Sequence, residues 1–169
     1  LGASVTGIDA TEKNIRIASI HAADMGLDID YRVDTAESVA AAGEQFDAVL
    51  NMEVSEHVAK VEMFLAATAD LTKPGGVMFL ATLIRTAKSY ALAIVGAEYL
   101  LRWLPKGTHD WQRFVKPSEL AAALRPTGMD IAEITGVVYN PLTGRWSLNA
   151  RDLTVNYMVL AERPSGNTG

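Results

Sequence analysis

Within the run EVSEHV, Glu53, Glu56 and His57 bring two carboxylates and an imidazole into five residues, directly after the apolar stretch FDAVLNM. If Glu53 opens a helical turn, Glu56 at i+3 shares its face and His57 is adjacent, so three hard or borderline donors can aim at one point. Such a trio can hold a cation or move a proton. It can equally be the charged mouth of a loop that leaves a buried strand, with both glutamates facing solvent and His57 capping the loop. The spacing alone leaves both open.

A further carboxylate, Asp9, ends the strand-like segment VTGI. There it can accept both hydroxyls of a nucleotide ribose, or it can cap the helix that follows. Farther along, His109 and Asp110 lie with Lys106, Gly107 and Thr108 between Trp103 and Trp111. That density of polar groups beside aromatics suits a lid over an acceptor ring or a second base, and it suits as well a turn in which Asp110 holds His109.

The elements that must position these residues alternate along the chain. Residues 4–9 read as a strand, and Thr11 can cap a helix whose Ile15, Ala18, Ala22 and Met25 recur at helical spacing until Gly26. Residues 29–33 form the next strand, followed by a short polar helix around 36–42. The run 46–52 is apolar enough for burial on both faces. Residues 61–71 are helical, Lys73-Pro-Gly-Gly is a turn, and 77–83 is another apolar strand. This alternation predicts an α/β fold in which a parallel sheet is covered by helices. Asp9, Asp34 with Thr35, and residues 51–57 should then converge on one rim, at the carboxyl ends of the strands. In the second half, 117–125 is a helix with Pro117 in its first turn. Residues 129–139 and 153–162 are strands of an antiparallel edge pair joined by the turn-rich YNPLTGRWSLNA.

At 169 residues the chain accommodates one domain, taken as 1–163 with an insertion around 85–116, and 164–169 as a flexible tail. The net charge of −5, with no stripe of Lys and Arg, speaks against a nucleic-acid partner. Without cysteine there is no disulfide, Cys-ligated zinc or thiolate nucleophile. No basic segment ahead of an apolar run marks a leader at the start. A nucleotide-binding unit opens with a strand and a Gly-rich turn about twenty residues before its acidic strand end. Gly2 comes too late for that turn, so we expect the strand and the glycine loop ahead of Leu1.

Residues 89–104, SYALAIVGAEYLLRWL, are almost wholly apolar, yet Glu98 and Arg102 make the segment too short and too charged to span a bilayer. Those two charges lie at i and i+4, while Leu92, Val95, Tyr99 and Trp103 take the opposite side, and Lys88 and Lys106 flank the segment. Such a helix can lie in a membrane interface, or serve as a core helix or dimer face.

The order VTGID, FDAVLNMEVSEHV, LTKPGG, RTAKSY, GAEYLLRWLPKGTHDW, YNP and VNYM resembles the S-adenosylmethionine-dependent O-methyltransferases of ubiquinone biosynthesis, over about residues 1–163. The first three segments are generic to class I methyltransferases, whereas GAEYLLRWLPKGTHDW is specific. The resemblance implies a Rossmann-like sheet, mostly parallel with an antiparallel last strand. It implies methyl transfer from S-adenosylmethionine to a phenolic hydroxyl of a polyprenylated ring, at an early hydroxyphenol and at a final demethylubiquinol stage. By position it makes Asp9 the ribose acid, places Thr35 and Ala36 beside adenine, and puts Met52 in the cofactor pocket. Magnesium is implied at Glu53, Glu56 and His57. A phenol with an unperturbed pKa of about 10 must be activated, by a metal or by His57 as general base.

The implied partners are the polyprenylated phenol or quinol, a membrane surface met through 89–104, and other proteins of ubiquinone biosynthesis. The implied location is the cytoplasmic face of a bacterial inner membrane or the mitochondrial matrix face. Two positions depart from the family pattern: Ile84 stands where Asn usually precedes Arg85, and Lys60-Val61 where Asp-Pro is common. Two other readings compete, a nicotinamide-dependent oxidoreductase that uses Asp9 on the ribose and a non-catalytic membrane-surface or assembly protein.

Overall fold

The computed structural model describes residues 2–55, 57–86, 114–140 and 143–166. The expectations for Glu56, for the 89–104 helix, and for His109 and Asp110 between Trp103 and Trp111 lie outside the described residues. The chain separates into two compact units, residues 1–44 and 45–169.

In the first unit, β1 (Thr6–Asp9) and β2 (Asp30–Val33) pair in parallel, joined by α1 (Glu12–Asp24) and followed by α2 (Ala36–Ala41). The parallel register runs from Thr6 opposite Asp30 to Asp9 opposite Val33. Gly26, at φ +64, lets the chain leave α1 in a left-handed conformation that a side chain would disfavour. Of the apolar positions expected to pack, Ala22 is buried, while Met25 stays largely exposed as the residue that closes the helix.

The second unit is a five-stranded sheet in the order β3-β4-β7-β5-β6. Its strands are β3 (Phe46–Met52), β4 (Thr72–Leu83), β5 (Asp130–Asn140), β6 (Arg145–Asn149) and β7 (Asn156–Glu162). β3 and β4 are parallel, and the last strand, β7, runs antiparallel to both β4 and β5, as expected. α3 (Val61–Asp70) and α4 (Pro117–Leu124) supply the helical layer. Side chains alternate across a strand, and the buried members Asn51, Met78, Leu80, Thr82, Tyr157 and Val159 share one face. With Phe64 and Leu65 of α3 and Leu120 and Leu124 of α4 they form the core. Each such large side chain contributes about 1.5–3 kcal/mol by leaving water. The Tyr157 hydroxyl donates to the Val115 carbonyl at 3.0 Å, so its polar end is satisfied inside that core.

Three expectations change here. β3 is not buried on both faces: Leu50 and Met52 are exposed on one face, while Asn51 is buried on the face that the helical layer covers. Lys73-Pro-Gly-Gly is not a free turn but an irregularity inside β4, where the register slips between Phe46–Thr72 and Ala48–Val77 and Gly75 takes φ +79. The turn-rich connection before β7 contains a strand, β6, paired antiparallel with β5 from Gly136–Asn149 to Asn140–Arg145.

Arg163 follows β7 and turns its guanidinium onto the end of α3, where Nη1 donates to the carbonyls of Ala69 at 3.0 Å and Thr72 at 2.7 Å. A cation there answers both the unpaired carbonyls and the negative end of the helix dipole.

Candidate functional site

In the first unit the chemistry gathers at the carboxyl end of β1. One Asp9 oxygen accepts the Thr11 backbone N–H at 2.7 Å and the other accepts Asn14 Nδ2 at 3.0 Å. The Thr11 side chain makes no capping bond, so Asp9 does the work expected of Thr11 at the start of α1. The capping alternative is therefore realised, while each carboxylate oxygen keeps a further lone pair for a ligand hydroxyl. The Asn14 hydrogen bond holds the Asp9 carboxyl below its usual value; burial opposes it, and the weaker effects of the Thr11 hydrogen bonds add to the lowering. Asp9 is thus a fixed anion.

Thr35 ends the turn after β2. Its hydroxyl accepts the Ser38 N–H at 3.2 Å and caps α2, and its own N–H donates to Asp34 Oδ1 at 2.8 Å. Ala36 next to it is buried. Hydrogen bonding from Ser38, then from the Thr35 backbone, lowers the Asp34 pKa.

In the second unit the chain leaves β3 at Glu53, whose N–H still donates to the Ala81 carbonyl at 2.7 Å. Glu53 has φ +54, the one positive value at a non-glycine among the described residues. A side chain in that region is strained, and such strain collects at functional sites. The left-handed backbone also means that Glu53 does not open a helical turn. The chain turns instead, with His57 N–H donating to the Val54 carbonyl at 2.9 Å, Ser55 buried and the His57 side chain exposed. Among the described residues no three His, Asp or Glu side chains are grouped as a metal site.

Beside Glu53 opens a cleft of about 340 Å³, within the range of small-molecule sites. Met52, Val137, Trp146 and Met158 give it apolar walls, and Glu53, Thr82, Asn156 and Tyr157 also line it. Met52, expected in the cofactor pocket, lines this cleft; Val137, Trp146, Asn156 and Met158 were not singled out. The alternation in RWSLN signals a strand that aims Trp146 and Leu148 to one side, and that signal is masked by the surrounding turn residues. Trp146 packs against Tyr139 across the β5–β6 pair, with ring centroids 5.0 Å apart.

Two polar atoms in the second unit are buried without a partner among the described residues, Asn51 Nδ2 and Asn156 Oδ1. An unsatisfied buried group costs about 1–3 kcal/mol. Asn51 lies on the helix-covered face, and Asn156 lies in the cleft wall. No helix among the described residues is long and apolar enough to cross a membrane.

Residues 1–80 match the family model described as a methyltransferase domain. Over 98% of its length the chain is 60% identical to the ubiquinone biosynthesis O-methyltransferase of Brucella anthropi, of which it covers 66%. It is 58% identical over 96% of its length to the enzyme of the same name from Parvibaculum lavamentivorans, of which it covers 64%. The chain therefore spans somewhat less than two thirds of the length of these relatives. Among solved structures, the magnesium protoporphyrin IX methyltransferase of Synechocystis PCC 6803, with bound S-adenosylhomocysteine, superposes with a TM-score of 0.63. That match is at 18% identity and covers 96% of this chain and 64% of that one, a likeness of fold. The sheet that carries Glu53 and the strand end that carries Asp9 are thus parts of a Rossmann-like methyltransferase fold, and the chain belongs to the family of the ubiquinone biosynthesis O-methyltransferases.

Proposed function

We propose that this chain serves S-adenosylmethionine-dependent transfer of a methyl group to a phenolic hydroxyl of a polyprenylated ubiquinone precursor. The observation that carries the chemistry is the strained Glu53 in the wall of an apolar cleft, at the carboxyl end of β3. The name and identity of the relatives support the pathway.

S-adenosylmethionine, when bound, supplies an electrophilic methyl group on a sulfonium. Asp9 fits its ribose: the carboxylate is ionised, its position is fixed by Asn14 and Thr11, and it retains acceptor capacity for two hydroxyls. Thr35 and Ala36 would flank the adenine. In the cleft, Met52, Met158 and Trp146 receive the ring and keep water from it. The phenolic oxygen must lose its proton as the O–CH₃ bond forms, and Glu53 or His57 takes that proton. His109 and Asp110 belong to the same proposal as acceptor-side residues, on the strength of the sequence pattern.

Magnesium, if used, would be held by Glu53, Glu56 and His57 and would stabilise the phenolate charge. The exposed Glu53 carboxylate is a hard oxygen donor that fits such an ion, whereas an imidazole suits it less and suits proton transfer more. The polyprenyl chain of the substrate calls for a membrane surface, and the amphipathic pattern of 89–104 supports docking there, at the cytoplasmic face of an inner membrane.

Calorimetric titration of the protein extended upstream of Leu1 through the expected glycine loop, with S-adenosylhomocysteine and, separately, with NADH, tests the cofactor. Saturable binding of the first and none of the second is expected. Binding of NADH alone would replace the methyltransferase by the oxidoreductase reading, and binding of neither by the non-catalytic one.

A further inference from the structure

We propose that Asn156 is the residue that recognises a free ring hydroxyl of the acceptor, with Trp146 covering the face of the ring, inside the cleft beside Glu53. This assignment rests on the methyltransferase reading for the identity of the ring, but the site itself is argued from the second unit alone.

Asn156 opens β7 opposite Leu83, and its neighbours on the same face of the strands are Met158 and Ala81. All but Leu83 line the cleft. In a wall that includes Met52, Met158, Val137 and Trp146, the side-chain oxygen of Asn156 is buried and lacks a hydrogen-bond partner among the described residues. Buried polar groups are almost always paired, so an unpaired one in a cleft wall marks where a ligand group completes the structure. Its terminal torsion is broad and soft, and a small rotation turns the oxygen toward a bound hydroxyl. A carbonyl oxygen accepts and cannot donate, so it pairs with a ring O–H and rejects the same ring once that oxygen is methylated. Trp146 complements this without discriminating. It stays 63% exposed on β6, backed by Tyr139, and an indole face offers stacking area to any aromatic ring. With Glu53 in the same cleft, the ligand class that satisfies Glu53 and Asn156 together is an arene with two neighbouring hydroxyls. One would meet Asn156 and the other the carboxylate.

The test is calorimetric titration with 4-methylcatechol and with its dimethyl ether. The wild-type chain is expected to bind the catechol about tenfold more tightly than the ether. N156L, close in volume but without the amide, should bind the two equally, at the level of the ether. W146L removes a largely exposed side chain and keeps the protein folded, as circular dichroism would verify. It should weaken both ligands by the same factor and leave the preference intact. A preference that survives N156L, or a wild-type chain that does not distinguish the two rings, overturns the assignment. Failure of the methyltransferase reading shows itself differently, as a wild-type chain that keeps its catechol preference and binds no S-adenosylhomocysteine.

Discussion

The carboxylates at the ends of β1 and β3 occupy equivalent places after parallel strands, and they are built in opposite ways. Asp9 is held by two hydrogen bonds from its own helix start and is locally satisfied. Glu53 has no hydrogen bond to its carboxylate among the described residues, and its backbone sits in a conformation that favours glycine. A carboxylate that is tied down serves as a fixed charge for binding, because little is reorganised when a ligand arrives. A carboxylate left free on a strained backbone is placed at a cost to stability.

Substitutions at the two positions should therefore fail in different ways. The largest effect is expected for E53Q, which keeps the shape and removes the base or ligand. Methyl transfer should fall by about 10²-fold or more, with S-adenosylhomocysteine affinity unchanged in calorimetry. A variant that retains full turnover would show that Glu53 is merely a strained loop residue. Next comes D9A, which deletes the carboxylate proposed to accept both ribose hydroxyls. S-adenosylhomocysteine should bind about 100-fold more weakly, equivalent to about 3 kcal/mol. Equal affinity would leave Asp9 as a helix cap alone.

E53G sharpens the contrast from the side of stability. Relief of the positive φ should raise stability in urea by up to about 1 kcal/mol while activity is lost. A less stable E53G would mean that the backbone there is not strained.

The smallest effect concerns pH. The folded pKa of Asp9 lies below the usual 3.8. Its contribution is therefore fully present above that value and is lost as pH falls through the lower folded value, because the unfolded chain takes up the proton first. Asp34 shifts in the same direction. Urea midpoints should be flat from pH 7 to 5 on account of these groups and decline below about 4, less steeply in D9N.

Much of the frame was legible from pattern. The strand 46–52 has the bounds read from its apolar run, and α2, α3 and α4 begin where the stretches 36–42, 61–71 and 117–125 were read. Local chemistry set those starts. What escaped depends on contacts far apart in the chain. β6 hides among turn residues and exists because β5 lies beside it. Gly136 reads as an ordinary interruption of a strand, yet a Cβ there would stand 1.8 Å from the Asp152 carbonyl oxygen. Glu53 was singled out for its charge, but nothing in its residue type announces a left-handed backbone. Asn156 was visible only within the family-like VNYM segment, since an unpaired buried atom is defined by every neighbour that fails to reach it. Of the residues expected at one rim, Asp9, Asp34 and Thr35 belong to the first unit and 51–57 to the second.

The measurement that bears most directly on the central claim is transfer of a labelled methyl group from S-adenosylmethionine to a soluble catechol, with the Brucella anthropi relative run beside it. The account predicts label in the methyl ether, one S-adenosylhomocysteine formed per methyl transferred, and loss of both in E53Q. Binding of S-adenosylhomocysteine without any labelled ether, while the relative labels the catechol, would contradict it.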